Sequence, residues 1–407
     1  MPPLHGILVL DLSRILAGPW ATQVLADFGA EVLKVEHPQG GDDTRRWGPP
    51  YLKDASGRET GESAYYLSTN RGKRSLAIDF SRPEGQDIVR RLAAGADVMV
   101  ENFKVGGLAR YGLGYADLAP RNPRLVYLSI SAFGQDGPDA AKPGYDAMIQ
   151  GMGGLMSITG VPDGEPGAGP QKVGVAVADL MCGMYAVSAI LAALYERDRS
   201  GAGQYIDLSL LDSQVAWLAN QSLNYLVSGS PPRRQGTAHP NIVPYQAFAT
   251  ADGHLMLAVG NDAQFARFCA MAGAAGLSAD PRFATNQERV AHRAELVPAV
   301  AALMRERTTR DWIAALAAAN VPCGPINDLA QVFDEPQVSH RGLRLDLPHP
   351  LAGSVPTVRN PVRFSRTAVE YERAPPPLGA DTRDELRQRL GLDDALLAEL
   401  AARRVIA

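Results

Sequence analysis

Over residues 1–130 the chain repeats one pattern: a short β-branched run, a turn, then a segment with apolar residues at helical spacing. Residues 7–12, 31–36, 97–101 and 124–130 read as strands, and 20–28 and 84–93 as helices. Ser81-Arg82-Pro83-Glu84 sets Ser and Pro where a helix start prefers them. Strands separated by helices, with no tight hairpin between them, call for crossover connections. The pattern predicts an α/β fold with a largely parallel, doubly wound or Rossmann-like sheet.

The alternation stops at a Gly/Pro-rich stretch, 161–171, which reads as a loop. An apolar segment, 173–195, follows, and its one acidic residue is Asp179. A second break, 229–241, introduces a different pattern: a hairpin of 246–250 and 254–259 around Asp252-Gly253, then helices at 264–272, 295–305 and 311–319. A chain of 407 residues exceeds what one core usually holds. We therefore expect two domains, one of them a smaller α+β unit over about 221–327. The tail beyond 375–379 reads as two short amphipathic helices, 382–390 and 393–403.

Forty Lys and Arg against forty-four Asp and Glu give a formal charge of -4, without the basic excess of a nucleic-acid binder. All six lysines, Lys34, Lys53, Lys73, Lys104, Lys142 and Lys172, fall in the first half. Cys182, Cys269 and Cys323 are widely spaced and form no CxxC, so neither a disulfide framework nor a zinc site is expected. The first residues lack a basic leader pattern, and the apolar run 181–195 is shorter than the roughly 18 residues of a membrane span. The expectation is a cytoplasmic protein with no membrane partner.

The strand–turn–helix that opens the chain invites a nucleotide-binding reading, yet residues 13–19 contain one glycine and no GxGxxG or GxxxxGK[ST] occurs. Glu36 would be the ribose-binding acid of a dinucleotide site, but the glycines it needs are missing. HExxH and GxSxG are absent too. Asp179 stands out because it interrupts an apolar segment. It suits a helix N-cap; it also suits a desolvated carboxylate nucleophile beside backbone N–H groups that steady an oxyanion. Position alone does not separate the two. Asn70-Arg71-Gly72-Lys73-Arg74-Ser75, before an expected strand at 76–80, reads as a solvated basic turn or as a phosphate contact. Val100-Glu101-Asn102-Phe103 closes a strand, either as a turn with a core Phe or as a ligand contact at the carboxyl edge of the sheet.

Together these segments resemble the class III CoA-transferases, the family of formyl-CoA transferase, carnitine CoA-transferase and α-methylacyl-CoA racemase. The resemblance is carried by Gly6–Leu12 with Ala17-Gly18-Pro19, Gly29–Glu36, Asn70–Ser75, Ala96–Phe103, Gly144-Tyr145-Asp146, Asp179, Arg197–Leu208, Val321–Pro325 and Ala374–Gly379. It implies that Asp179 is the catalytic aspartate, passing through an acyl anhydride and an aspartyl-CoA thioester. It further implies an interlocked homodimer, a discontinuous large domain of 1–220 with 328–407 around the smaller one, acyl-CoA and a small carboxylic acid as substrates, and no permanently bound cofactor or metal.

For CoA the resemblance implies Ile15, Leu16, His37, Ile78, Asn102, Phe103, Arg110 and Tyr145, with Arg71, Lys73 and Arg74 of the basic turn at its phosphates. His37 replaces an Arg of formyl-CoA transferase and makes that contact pH-dependent near neutrality. Leu16 replaces a Gln. The racemase branch carries His where this chain has Tyr145, which favours transfer over proton abstraction. Residues 236–248, 260–265, 335–338 and 342–343 are similar to the succinyl-CoA:glutarate branch, with Gly236, Thr237 and His239 as a substrate loop and mobile lid. A racemase or epimerase, a non-catalytic CoA-ester-binding protein and, remotely, a nicotinamide oxidoreductase remain alternatives at this stage.

Overall fold

Six parallel strands form the central sheet: β1 (Leu8–Asp11), β2 (Glu31–Glu36), β3 (Lys73–Ala77), β4 (Val98–Glu101), β5 (Val126–Ser131) and β6 (Tyr205–Ser209). Their spatial order is 3-2-1-4-5-6, the order of a doubly wound Rossmann sheet. The computed structural model describes residues 1–369 and 371–407.

The strands read as short apolar runs because successive side chains point to opposite faces and both faces are covered. Val9, Val32, Val98, Val100 and Leu128 pack in one layer with α1 (Ala17–Asp27) and the 24-residue helix α4 (Val177–Ser200). Leu10, Leu33, Leu76, Met99 and Tyr127 point the other way, against α2 (Pro83–Ala94) and the tail helices at Thr382–Leu390 and Asp394–Ala402. A parallel sheet needs this double burial. By length and composition α4 could cross a membrane, a possibility the shorter run 181–195 conceals in the sequence. Its Ala178, Cys182, Ala186, Ile190 and Ala193 are buried in the sheet layer, as in a core helix.

The chain divides into two compact units, 1–155 with 172–230 and 339–407, and 156–171 with 231–338. Residues 156–171, expected in the larger domain, join the smaller unit for a visible reason. Gly160–Val161 pairs with Gly169–Pro170, and the Arg234 Nε donates to the Val161 carbonyl at 3.2 Å. Within this unit an antiparallel sheet of Tyr245–Ala249, His254–Ala258 and Cys323–Pro325 packs on helices Asp262–Met271, Arg293–Met304 and Thr309–Ala318 around Phe248, Phe265, Phe268 and Trp312.

At the carboxyl edge of the large sheet, charges are buried in pairs. Lys73 Nζ donates to Asp11 Oδ2 at 3.0 Å, to Asn70 Oδ1 at 2.9 Å and to the Pro19 carbonyl at 3.0 Å. Lys34 Nζ donates to Asp42 Oδ2 and the Ser13 carbonyl, both at 2.9 Å. Glu36 accepts from Arg45 at 2.8 Å and from Ser75 at 2.6 Å, so it is occupied structurally and is no ribose acid. Burial raises the Asp11 carboxyl, but Lys73, Lys34 and the Ser13 and Thr22 hydroxyls outweigh it and hold the pKa at about 2.

The basic turn is therefore corrected. Arg71 is buried in a two-pronged pair with Asp27, at 2.9 and 2.6 Å. Lys73 is spent on Asp11, while Arg74 is paired with Glu31 and Glu385. None of the three is a free phosphate ligand. The strand also starts earlier than expected, at Lys73 rather than 76, because these pairs let charged side chains enter the sheet. Gly72 makes the preceding turn at φ +78°, which a side chain would strain. Ile78 is wholly buried in the core layer with Ile406 bridging its backbone, so its side chain offers no CoA contact.

Breaking a buried ion pair from one side costs about 3–5 kcal/mol. Lys73→Met or Asp11→Asn is expected to lower the chemical-denaturation midpoint strongly, and the double variant less than the sum of the two. The same linkage makes Asp11 stabilising above its unfolded pKa, with that contribution lost as pH falls through about 2.

Candidate active site

Strand order reverses between β1 and β4, so the loops that leave them diverge and open a crevice at the carboxyl edge. The β1 loop is clamped from below. Ser13 donates to Asp11 through its N–H at 2.9 Å and its hydroxyl at 2.5 Å, and the Ile15 N–H reaches both Asp42 oxygens at 3.2 Å. The clamp holds Ile15 at φ 73°, an unfavourable backbone for a β-branched residue. Gly18 sits so close to Ser13 that an added Cβ would lie 2.3 Å from it. Asn102, at the end of β4, completes the clamp: its Oδ1 accepts from the Arg14 N–H at 2.9 Å and its Nδ2 donates to the Arg14 carbonyl at 2.7 Å. Asn102 therefore shapes the crevice rather than offering its amide to a ligand.

Three adjoining cavities follow from this divergence. The outer one, 620 Å³, lies over the ends of β1, β2 and β3 and is lined by His37, Arg46, Lys104 and Arg110. A 200 Å³ cleft shares Arg14, Phe103 and Lys104 with it and reaches Tyr145 and Asp179. Beyond the cleft, a 600 Å³ cavity shares Ile15, Leu16, Tyr145 and Asp179 and extends to Trp47, Tyr65 and Lys172. The structure thus brings together Ile15, Leu16, Asn102, Phe103, Tyr145 and Asp179, and places His37 and Arg110 in the neighbouring cavity. Arg71, Lys73, Arg74 and Ile78 line none of the three.

In the outer cavity the cations differ in availability. Arg14 and Arg46 both approach Asp43, at 3.0 and 3.8 Å, and His37 lies 3.7 Å from Asp79. Lys104 and Arg110 have no carboxylate partner among the described residues; Arg110 lies over the Tyr111 ring, 4.5 Å from its centroid. Arg110, which the resemblance implied and which also donates to the Tyr111 hydroxyl at 2.7 Å, and Lys104 are thus the cations of this cavity left for an anionic group. Arg14, Arg46 and Lys104 escaped the sequence reading because nothing local in the sequence distinguishes a free cation from a paired one.

Asp179 is not the N-cap of its helix. Ala176 occupies that position, and Asp179 is the third residue of α4. The capping group comes from another helix, α3 (Asp146–Met152): Asp146 Oδ2 accepts from the N–H groups of Ala178 at 2.8 Å and Asp179 at 3.3 Å. Gln150 steadies it, donating to Asp146 Oδ1 at 2.5 Å while accepting from the Val173 N–H at 2.9 Å. With the Val177 N–H bonded to the Val175 carbonyl at 2.9 Å, the first-turn N–H groups are occupied. They form no oxyanion hole, contrary to the expectation.

The Asp179 carboxylate itself accepts no hydrogen bond from the described residues. Burial, and then the Asp146 charge, push its pKa up to about 7. Burial also pushes the Tyr65 phenol up to about 12, with Asp179 and Asp146 adding to it, so Tyr65, which lines the same cavity as Asp179, stays protonated. Both features suit a nucleophile kept reactive by poor solvation. No group of metal-binding side chains occurs among the described residues.

The substrate-loop residues belong to the smaller unit. Gly236 has φ +60°, but the loop is pinned: Thr237 Oγ1 accepts from the Ala247 N–H at 3.0 Å, the His239 N–H donates to Tyr245, and Arg293 holds the His239 and Pro240 carbonyls. The expected freely moving lid is not supported.

A profile of CoA-transferase family III matches residues 4–382. A succinate–glutarate CoA-transferase of Agrobacterium fabrum is 54% identical over 378 residues, covering 93% of each chain. A succinyl-CoA:glutarate CoA-transferase of Mus musculus is 44% identical, covering 100% of this chain and 91% of its own. The crystal structure of a CAIB/BAIF family protein from Brucella suis superposes with a TM-score of 0.83 at 47% identity, covering 95% of this chain and 99% of its own.

Because the Asp179 pKa is raised in the folded state, its contribution to stability is full below the ordinary carboxyl value of 3.8 and is lost as pH rises from there through about 7. Asp179→Asn is expected to raise the melting temperature most at pH 8, by less at pH 5, and little near pH 3. Asp146→Asn removes the charge but keeps a capping oxygen, and should move the Asp179 titration to lower pH, as followed by carbon-13 NMR of labelled aspartate.

Proposed function

The chain belongs to CoA-transferase family III and moves CoA from an acyl-CoA donor to a carboxylic acid, and we propose that the donor is succinyl-CoA, the acceptor a C5 dicarboxylate such as glutarate, and the nucleophile Asp179. The observation that carries the mechanism is that Asp179 lines both the narrow cleft leading from the outer cavity of Lys104 and Arg110 and the larger cavity beyond it. CoA's phosphates suit Lys104 and Arg110, its pantetheine arm suits the cleft along Phe103, and its thioester then meets the carboxylate. The identity of the acids rests on the likeness to the glutarate-using relatives.

In this scheme an Asp179 oxygen attacks the thioester carbonyl and the CoA thiolate departs, leaving an acyl anhydride. The thiolate returns to the Asp179 carbonyl carbon and expels the donor acid, which carries away one Asp179 oxygen. The acceptor carboxylate attacks the resulting aspartyl-CoA, breaking its C–S bond to give a second anhydride, and the released thiolate then attacks the acceptor carbonyl of that anhydride and expels the Asp179 carboxylate. Asp179 is regenerated with one oxygen from the acceptor. Thioester and anhydride are close in reactivity, so no nucleotide is consumed. The apolar walls limit hydrolysis of both intermediates. Among the described residues no histidine lines the two cavities that contain Asp179, which supports transfer over proton exchange at an α-carbon.

We also propose a homodimer. Helix Asn220–Ser228 buries none of its residues and exposes Leu226 and Val227, while α4 exposes Met184 and Tyr195. Apolar surface of this kind marks an interface, and sedimentation at twice the chain mass is the expected result.

Incubation with succinyl-CoA and glutarate should yield glutaryl-CoA by chromatography, with Asp179→Ala losing turnover while still binding CoA. Lys104→Ala and Arg110→Ala should raise KM for the thioester with little change in kcat. Full activity in Asp179→Ala would rule out the mechanism.

A further inference from the structure

The 600 Å³ cavity beyond Asp179 has a chemical composition that selects its occupant. Ile15, Leu16, Trp47 and Val175 give it apolar walls, and two carboxylates, Asp146 and Asp179, give it negative charge. Such a cavity accepts methylene groups and repels a second carboxylate unless a cation offsets it. Among its lining residues one is cationic, Lys172. Its Nζ donates to the Val173 carbonyl at 3.1 Å and has no carboxylate partner among the described residues. Its backbone is anchored next to the Val173 N–H that Gln150 holds, and Gln150 also holds Asp146 against the start of α4. One network thus sets the position of both the nucleophile and the lysine.

Resting on the dicarboxylate reading above, we infer that Lys172 is the specificity residue that binds the distal carboxylate of the acid, with the methylene chain lying along the apolar wall and the near carboxylate at Asp179. The ammonium is a compact charge on a flexible stem, able to serve the distal carboxylate of both the succinyl donor and a longer acceptor. Ser68 and Thr69, which line the same cavity, add hydroxyl groups.

The test compares wild type, Lys172→Met and Lys172→Arg with two acceptors of equal chain length, glutarate and pentanoate, each with succinyl-CoA and with butyryl-CoA as donor. Losing a charged hydrogen bond is expected to raise the glutarate KM of Lys172→Met by roughly 10- to 100-fold, with kcat less affected. The preference for glutarate over pentanoate should collapse whichever donor is used, and Lys172→Arg should restore much of it. Unchanged glutarate preference in Lys172→Met would overturn the assignment while leaving the dicarboxylate reading intact. Equal losses with glutarate and pentanoate would also overturn it, by showing a structural role. A wild type that transfers CoA to pentanoate but to no dicarboxylate would overturn both.

Discussion

The ammonium of Lys73, wholly enclosed, joins three parts of the large unit: Asp11 at the end of β1, Asn70 before β3 and the Pro19 carbonyl in α1. A charge in such a place is tolerated only when its hydrogen bonds are met, and here they are. From Asp11 the constraint passes to Ser13, from the Ser13 carbonyl to Lys34, and from Lys34 through Asp42 to the Ile15 N–H. The strained conformation at Ile15 is thus imposed by buried electrostatics. That residue forms the corner where the cleft meets the larger cavity.

The same edge of the sheet sorts its cations into two kinds. Those under the floor are neutralised by carboxylates and position the loops, whereas Lys104, Arg110 and Lys172 line the cavities with no acid partner among the described residues. A net-acidic protein can therefore bind a polyanionic thioester locally. Five of the six lysines, all in the first half of the chain, serve this edge of the sheet. Lys34 and Lys73 build the floor of the site, and Lys104, Lys142 and Lys172 line its cavities.

The parallel sheet was legible because a strand buried on both faces is a short apolar run, and runs such as Val98–Glu101 stand out between helical segments. Asp179 was legible because an acid within an apolar segment is unusual. What a linear reading could not resolve was pairing across the fold. Arg71 and Lys73 look like solvated cations until Asp27 and Asp11 are brought against them from other elements. Likewise, the cap of α4 comes from Asp146, 33 residues before Asp179, so the helix start alone suggested the wrong group. The family resemblance pointed to Gly144-Tyr145-Asp146 without explaining the Asp. Its explanation is geometric: it completes the helix and adds to burial in raising the pKa of Asp179.

The central claim is that Asp179 carries the acyl and CoA groups in turn. Turnover with acceptor acid labelled with oxygen-18 in both carboxylate oxygens, followed by peptide mass spectrometry, tests it most directly. The mechanism predicts oxygen-18 in the side chain of Asp179, in amounts that depend on the presence of the acyl-CoA donor. Active enzyme that turns over the labelled acid while Asp179 stays free of label would contradict it.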